Sequence, residues 1–185
     1  MARLTTIDFE GIAPTNGFVR YYNPGGFSQS GVTFTTNNTS LVVVDTGFSS
    51  SYYDWGSGAL LQAGESPGDI KAALPSGVTA VGSDLSSVVN EASDFVINLS
   101  TGDSFTVSSF NRPNRKFVGF TSDVDITWIS FNATSGYTQL DNFTFGTLKP
   151  ITPPESASVP EPASVLGLLT LGGLGIGSVL KRKIK

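Results

Sequence analysis

An uncharged, largely apolar run of eighteen residues, Ala163 to Leu180, lies between Val159-Pro160-Glu161-Pro162 and the basic end Lys181-Arg182-Lys183-Ile184-Lys185. At a rise of about 1.5 Å per residue such a run makes a helix of roughly 27 Å, close to the ~30 Å hydrocarbon thickness of a bilayer. A segment that is apolar all round has no face to offer water, so residues 163–180 are predicted to form one transmembrane helix rather than part of a globular core. Lys181, Arg182, Lys183 and Lys185 follow at once. Basic residues flanking a span stay on the cytoplasmic side, so 181–185 is expected inside and everything before Ala163 outside.

The segment ahead of the span is stiff. Each proline ring fixes φ, removes an N–H and biases the preceding residue away from helix. Val159 and Glu161 are therefore expected to be extended, as a protease cleft prefers, and Pro162 suits the first turn of the following helix. The span holds Gly167, Gly172, Gly173, Gly175 and Gly177. It is a weak helix by propensity, and Gly173 with Gly177 forms a small-xxx-small pair that permits close helix approach. The order Pro-Glu-Pro, short apolar span, basic end resembles the PEP-CTERM sorting signal of bacterial surface and exopolysaccharide-associated proteins. That resemblance implies recognition by an intramembrane, exosortase-type processing enzyme. It also implies a surface protein that is first membrane-anchored and then released to the surface or matrix.

Charge and composition exclude several classes. Before Lys181 there are seven basic against fifteen acidic side chains, a formal charge of −8. A surface of that sign without a basic stripe repels phosphate, so no nucleic-acid partner is expected. With no cysteine there is neither a disulfide framework nor thiolate chemistry. With no histidine the commonest general base and metal ligand is missing, along with every Ser-His and Cys-His arrangement. An enzyme is not expected. The first residues, Met1-Ala2-Arg3-Leu4-Thr5-Thr6-Ile7-Asp8, lack the apolar core of a secretory leader, and an exported protein of this kind predicts a start codon further upstream.

Residues 149–162 contain five of the ten prolines and read as a semi-rigid linker, which leaves 1–148 as one ectodomain. That domain reads as all-β. Segments rich in Val, Ile, Phe and Thr recur between Gly, Asn, Ser and Pro. Strands are expected at Leu4–Glu10, Gly31–Thr35, Leu41–Asp45, Ala59–Gln62, Val78–Val81, Ala92–Leu99, Ser104–Phe110, Arg115–Thr121, Ile126–Asn132 and Gln139–Phe145. Phe95, Ile97 and Leu99 alternate onto one face, and Ser100-Thr101-Gly102-Asp103 predicts a turn into Phe105 and Val107. Short helical turns at 66–73 and 86–92 are the exceptions. Two packed antiparallel sheets, a jelly-roll-like sandwich, bury such faces best.

Thr6-Ile7-Asp8-Phe9-Glu10-Gly11, with Phe131 and Leu140-Asp141-Asn142-Phe143-Thr144-Phe145-Gly146, resembles the first and last strands of carbohydrate-binding jelly-roll modules. The resemblance implies a structural calcium between those strands, with Asp8, Glu10 and Asp141 as oxygen donors. Calcium takes six to eight hard oxygens, so carbonyls and water would complete the shell. No cofactor is otherwise required. Asp141 shares strand parity with Phe143 and Phe145, which predicts a carboxylate on a buried face that binds a cation or accepts N–H bonds.

Three further groups are candidates. Tyr52, Tyr53, Asp54 and Trp55 combine flat rings with a carboxylate, the elements of a sugar platform, and otherwise pack over the open end of a core. Leu41-Val42-Val43-Val44-Asp45-Thr46-Gly47 resembles the active-site loop of aspartic proteases, which in so short a chain implies a homodimer pairing two Asp45 carboxylates. Phe48 departs from that pattern. Arg112, Arg115 and Lys116 make a basic turn, and Trp128 is expected in the core. The function that follows is a non-enzymatic, exported surface protein with a structural or adhesive role in extracellular polysaccharide, the biofilm matrix. The alternatives are a calcium-stabilised carbohydrate-binding module and a dimeric aspartic protease.

Overall fold

Alternation decides the architecture. Trp128–Ala133 points Ile129, Phe131 and Ala133 inward and leaves Trp128, Ser130 and Asn132 half-buried on the other side, the period-2 pattern of a strand with one wet face. Phe95–Leu99 does the same. In the computed structural model residues 3–45, 47–48, 58–88, 93–108 and 115–148 are described. They form β1 (Arg3–Ile7), β2 (Phe18–Tyr22), β3 (Phe27–Gln29), β4 (Val32–Thr35), β5 (Ser40–Val44), β6 (Leu60–Ala63), β7 (Asp69–Ala73), β8 (Ala80–Val88), β9 (Phe95–Leu99), β10 (Ser104–Val107), β11 (Lys116–Thr121), β12 (Trp128–Ala133) and β13 (Tyr137–Thr147). The chain divides into Met1–Lys149 and Pro150–Lys185, and every described residue belongs to the first unit.

All pairings are antiparallel. One sheet runs β11-β8-β13-β6-β5-β2, with β1 also on β13; the other runs β10-β9-β12-β7-β4-β3. Their inner faces share one core, in which Phe143 of the first sheet meets Phe34 and Phe131 of the second at centroid distances of 5.1 and 6.5 Å. The described residues thus form an all-β sandwich of two sheets. Among the described residues no helix is long and apolar enough to cross a membrane. The expected span 163–180, the linker 149–162 and the basic end 181–185 lie outside the described residues.

Among the described residues thirteen strands replace the ten expected. β2, β3 and β7 are additions, and the helical turns expected at 66–73 and 86–92 give way, over their described residues, to β7 and the end of β8. β7, Asp-Ile-Lys-Ala-Ala, buries Ile70 and Ala72 and turns Lys71 out. Its weak intrinsic preference is overridden because β4 and β12 pair with it on both edges. The expected hairpin is present: Leu99 N–H donates to Asp103 C=O across the turn, and Thr101 Oγ1 donates to Asp103 Oδ2 at 2.6 Å. Trp128 corrects the expectation of a core position. It lies on the wet face of β12, with Lys71 Nζ 4.5 Å from its ring centroid.

Candidate functional site

The feature that organises the outer face of the first sheet is a bulge in β13. Asp141 stands opposite Asp84 and Thr144 opposite Gly82, so Asn142 and Phe143 share the single partner Ser83. Asn142 takes φ 48°, a left-handed conformation that asparagine tolerates better than most residues. One extra residue inverts the side-chain alternation. Leu140 and Phe143 both point into the core, and Asp141 points away from it, beside Asp84. Asp141 was expected on the phenylalanine face by parity; the bulge places it on the opposite one.

Asp141 is nevertheless only 3% exposed. Arg115 Nη1 donates to its Oδ2 at 3.0 Å, the backbone N–H of Asn142 donates to its Oδ1 at 2.6 Å, and Asn142 Nδ2 bridges to Asp84 Oδ2 at 2.9 Å. A methyl group on Gly58 would lie 3.0 Å from Asp141 Oδ2 and 3.8 Å from both Arg115 Nη1 and Glu10 Oε1, so three charged groups crowd over one glycine. Glu10 Oε1 also accepts the Ala59 N–H at 2.8 Å. Burial pushes the Asp141 carboxyl up to about 6. The Asn142 N–H and the Arg115 charge pull against that shift, while the Asp84 and Glu10 charges add to it.

The three carboxylates expected to hold calcium are therefore only partly brought together. Glu10 and Asp141 approach the same glycine, whereas exposed Asp8 accepts the Glu10 N–H at 3.3 Å in a local turn. Among the described residues no group of three or more acidic side chains is arranged to hold a metal ion. The positive charge beside Asp141 is a guanidinium. The Asn142 N–H and side-chain amide complete the described partners of this carboxylate.

Asp45 caps a turn: its Oδ2 accepts the N–H groups of Asn16 at 2.8 Å and Gly47 at 3.2 Å. Tyr52, Tyr53, Asp54 and Trp55 lie outside the described residues, as do Arg112 and the tail residues Val159, Pro160, Glu161, Pro162, Lys181, Arg182, Lys183 and Lys185.

Beside the charged cluster lies a groove of about 420 Å³, lined by Leu4, Ala80, Phe117, Phe120, Thr144 and Leu148 among others. Strand register explains it. On the outer face Phe117 stands opposite Asp84, Gly119 opposite Gly82, and Thr144 between Gly82 and Thr6. A Cβ on Gly82 would come within 2.6 Å of Phe117 Cζ, and one on Gly119 within 2.9 Å of Phe117 Cε1. The ring thus lies down over a cross-strand glycine pair. Phe117 remains 55% exposed and Leu4 50% exposed, large apolar groups that a sheet facing only water does not need. Sequence reasoning missed this shelf; Gly82 and Gly119 inside strand-like segments were its available signal.

Comparison with known proteins bears first on the tail. Residues 158–183 match the PEP-CTERM protein-sorting motif. The chain carries this sorting signal. The PEP-CTERM match spans the Pro-Glu-Pro, the apolar run and most of the basic end, and it does not extend into the sandwich. No protein of curated function matches the chain. Among solved structures, a family 29 carbohydrate-binding module is 14% identical, with 80% of this chain and 90% of that one covered and a TM-score of 0.41. The CBM22-1 xylan-binding domain from Paenibacillus barcinonensis Xyn10C is 13% identical, covering 80% and 96%, TM-score 0.42. TmCBM61, solved with β-1,4-galactotriose, is 18% identical, covering 70% and 99%, TM-score 0.42.

Proposed function

We propose that this is a non-catalytic, exported surface protein, delivered through its PEP-type tail to the cell envelope. There its jelly-roll-like ectodomain serves a structural or adhesive role in extracellular polysaccharide. The observation that carries the reading is the sorting-motif match over 158–183. The sequence of the tail supports it: an uncharged, largely apolar run of membrane-spanning length is followed at once by basic residues, the pattern of a span with its end held on the cytoplasmic side. The absence of histidine and cysteine from the sequence supports the non-catalytic part. Phe48, standing where the aspartic-protease pattern has a small or hydroxyl residue, favours it over the protease alternative.

The test is fractionation of a producing strain with an antibody against the sandwich. Wild type is expected in the envelope and surface fractions, shortened by the tail. Replacement of Pro160 and Glu161 by alanine is expected to leave an unshortened, membrane-retained form. Recovery of the intact wild-type chain from cytosol, with the Lys185 end still attached, would overturn the proposal.

A further inference from the structure

Resting on that reading, we infer that the sandwich holds polysaccharide on the outer face of β11, β8 and β13, with the Phe117 ring as the stacking platform. The ligand is an uncharged pyranoside chain. Three independent features of this face converge. The first is the seat of the ring: it lies against Gly82 and Gly119, where a side chain at either position would lift it, so one face is fixed by backbone and the other meets solvent. An aromatic ring held flat in that way matches the apolar C–H face of a pyranose better than a ring standing on edge.

The second is the polar group in register. Asp84 stands directly opposite Phe117 on the neighbouring strand, so the two side chains rise on the same face from backbones about 4.8 Å apart. Among the described residues it is engaged only through Oδ2, by the Asn142 amide, which leaves Oδ1 to accept a sugar hydroxyl. Asp141 lies one strand further along the same row, where Arg115, just ahead of β11, reaches it and its own carboxylate fixes the Asn142 N–H. A sugar placed with its apolar face on Phe117 therefore has a rigid acceptor at its edge. The groove continues past Thr144 toward Leu4, and its size falls in the range of small-ligand sites, roughly 300–1,000 Å³.

The third feature is charge. The row carries Asp84 and Asp141 against Arg115, within a chain whose formal charge before Lys181 is −8. A polyuronate would be repelled and an uncharged glycan would not.

The test uses the full-length chain in mild detergent, with binding read by affinity electrophoresis and calorimetry. The probes are a panel of neutral gluco-, manno-, galacto- and xylo-oligosaccharides, with alginate as the polyuronate. Binding to at least one neutral oligosaccharide is expected. Phe117→Ala should weaken it by roughly tenfold or more, as for a buried aromatic anchor, and Phe117→Trp should retain it. Asp84→Ala should also weaken it, with the melting temperature of each variant close to wild type. The inference is overturned by Phe117→Ala and Asp84→Ala binding as wild type does, by alginate being the sole ligand, or by no oligosaccharide binding at all. It is equally overturned if Phe117→Ala instead converts a dimer to a monomer in sedimentation, which would make the shelf an interface between copies. Because binding is read on purified protein, failure here leaves the fractionation result intact, and failure of export leaves the binding result intact.

Discussion

The Asp141 carboxylate meets the Arg115 guanidinium at 3.0 Å, with 4% of the aspartate side chain and 33% of the arginine side chain exposed. The pair is asymmetric: the acid is committed to the protein and the base reaches water. Removing the base leaves a buried charge with one backbone N–H and one amide for company. Arg115→Ala is therefore expected to cost about 2–3 kcal/mol at pH 7.5, below the cost of breaking a fully buried pair because Arg115 is partly solvated. Asp141→Asn, which removes the charge and keeps the shape, should cost less. Denaturant melts of the two variants decide; equal losses would refute the asymmetry.

The same carboxylate makes stability depend on pH. Its folded-state value is about 6 against an ordinary value of 3.8, so between those limits the folded chain binds a proton that the unfolded chain has lost. The contribution is fully present below pH 3.8 and is lost as pH rises through about 6. At about 1.4 kcal/mol per unit the ceiling is about 3 kcal/mol. The difference in stability between wild type and Asp141→Asn should hence move in favour of wild type as pH falls from 7.5 to 4.5. Arg115→Ala should cost least at the acid end, where Asp141 is neutral. A wild-type minus Asp141→Asn difference that stays flat across that range would remove Asp141 as the titrating group.

What could be read from the residues, and what could not, follows from where one rule suffices. Phe95, Ile97 and Leu99 alternate without interruption, and the Gly102 turn and hairpin follow from local chemistry alone. β7 and the Ser-rich half of β8 have little intrinsic strand preference and exist because neighbours pair with them, which is information held elsewhere in the chain. Asp141 is the instructive case. Its importance was legible as a carboxylate in an apolar run, but its face was not, because the Asn142 bulge shifts the parity by one. The Asp-Asn pair inside Leu140–Phe145 is a turn-type dipeptide and was the local hint. The Phe117 shelf needs Gly82 and Gly119 from different strands to be in register, a relation that periodicity along one strand does not contain.

Trp128 and Phe131 lie three residues apart in β12 with opposite fates. Phe131 is fully buried and touches Phe143; Trp128 faces out under Lys71. Phe131→Ala is expected to cost about 3–5 kcal/mol through the cavity it leaves. Trp128→Ala, despite deleting the larger side chain, should cost about 1 kcal/mol, the loss of a half-exposed ring and a surface cation–π contact. Thermal melts would settle the order, and a Trp128 loss equal to that of Phe131 would return the indole to the core.

Gly146 decides whether the first strand docks. β1 pairs with β13 alone, and a Cβ at Gly146 would collide with the carbonyl oxygen of Arg3 on the facing strand. Backbone on both sides leaves no flexible side-chain end to yield, so an added methyl must push β1 outward or bend β13. β1 carries Ile7 and leads into Phe9, both fully buried, which gives the displacement an energetic cost of about 1–3 kcal/mol. Gly102, whose added Cβ would meet nothing within 4 Å, is the control for left-handed backbone strain alone. Gly146→Ala should speed amide exchange at Thr5 and Ile7 and lower the melting temperature. Gly102→Ala should leave exchange in β1 untouched and lower the melting temperature only slightly. If exchange in β1 is the same in both variants, the close approach of Gly146 to Arg3 is not what holds the first strand in place.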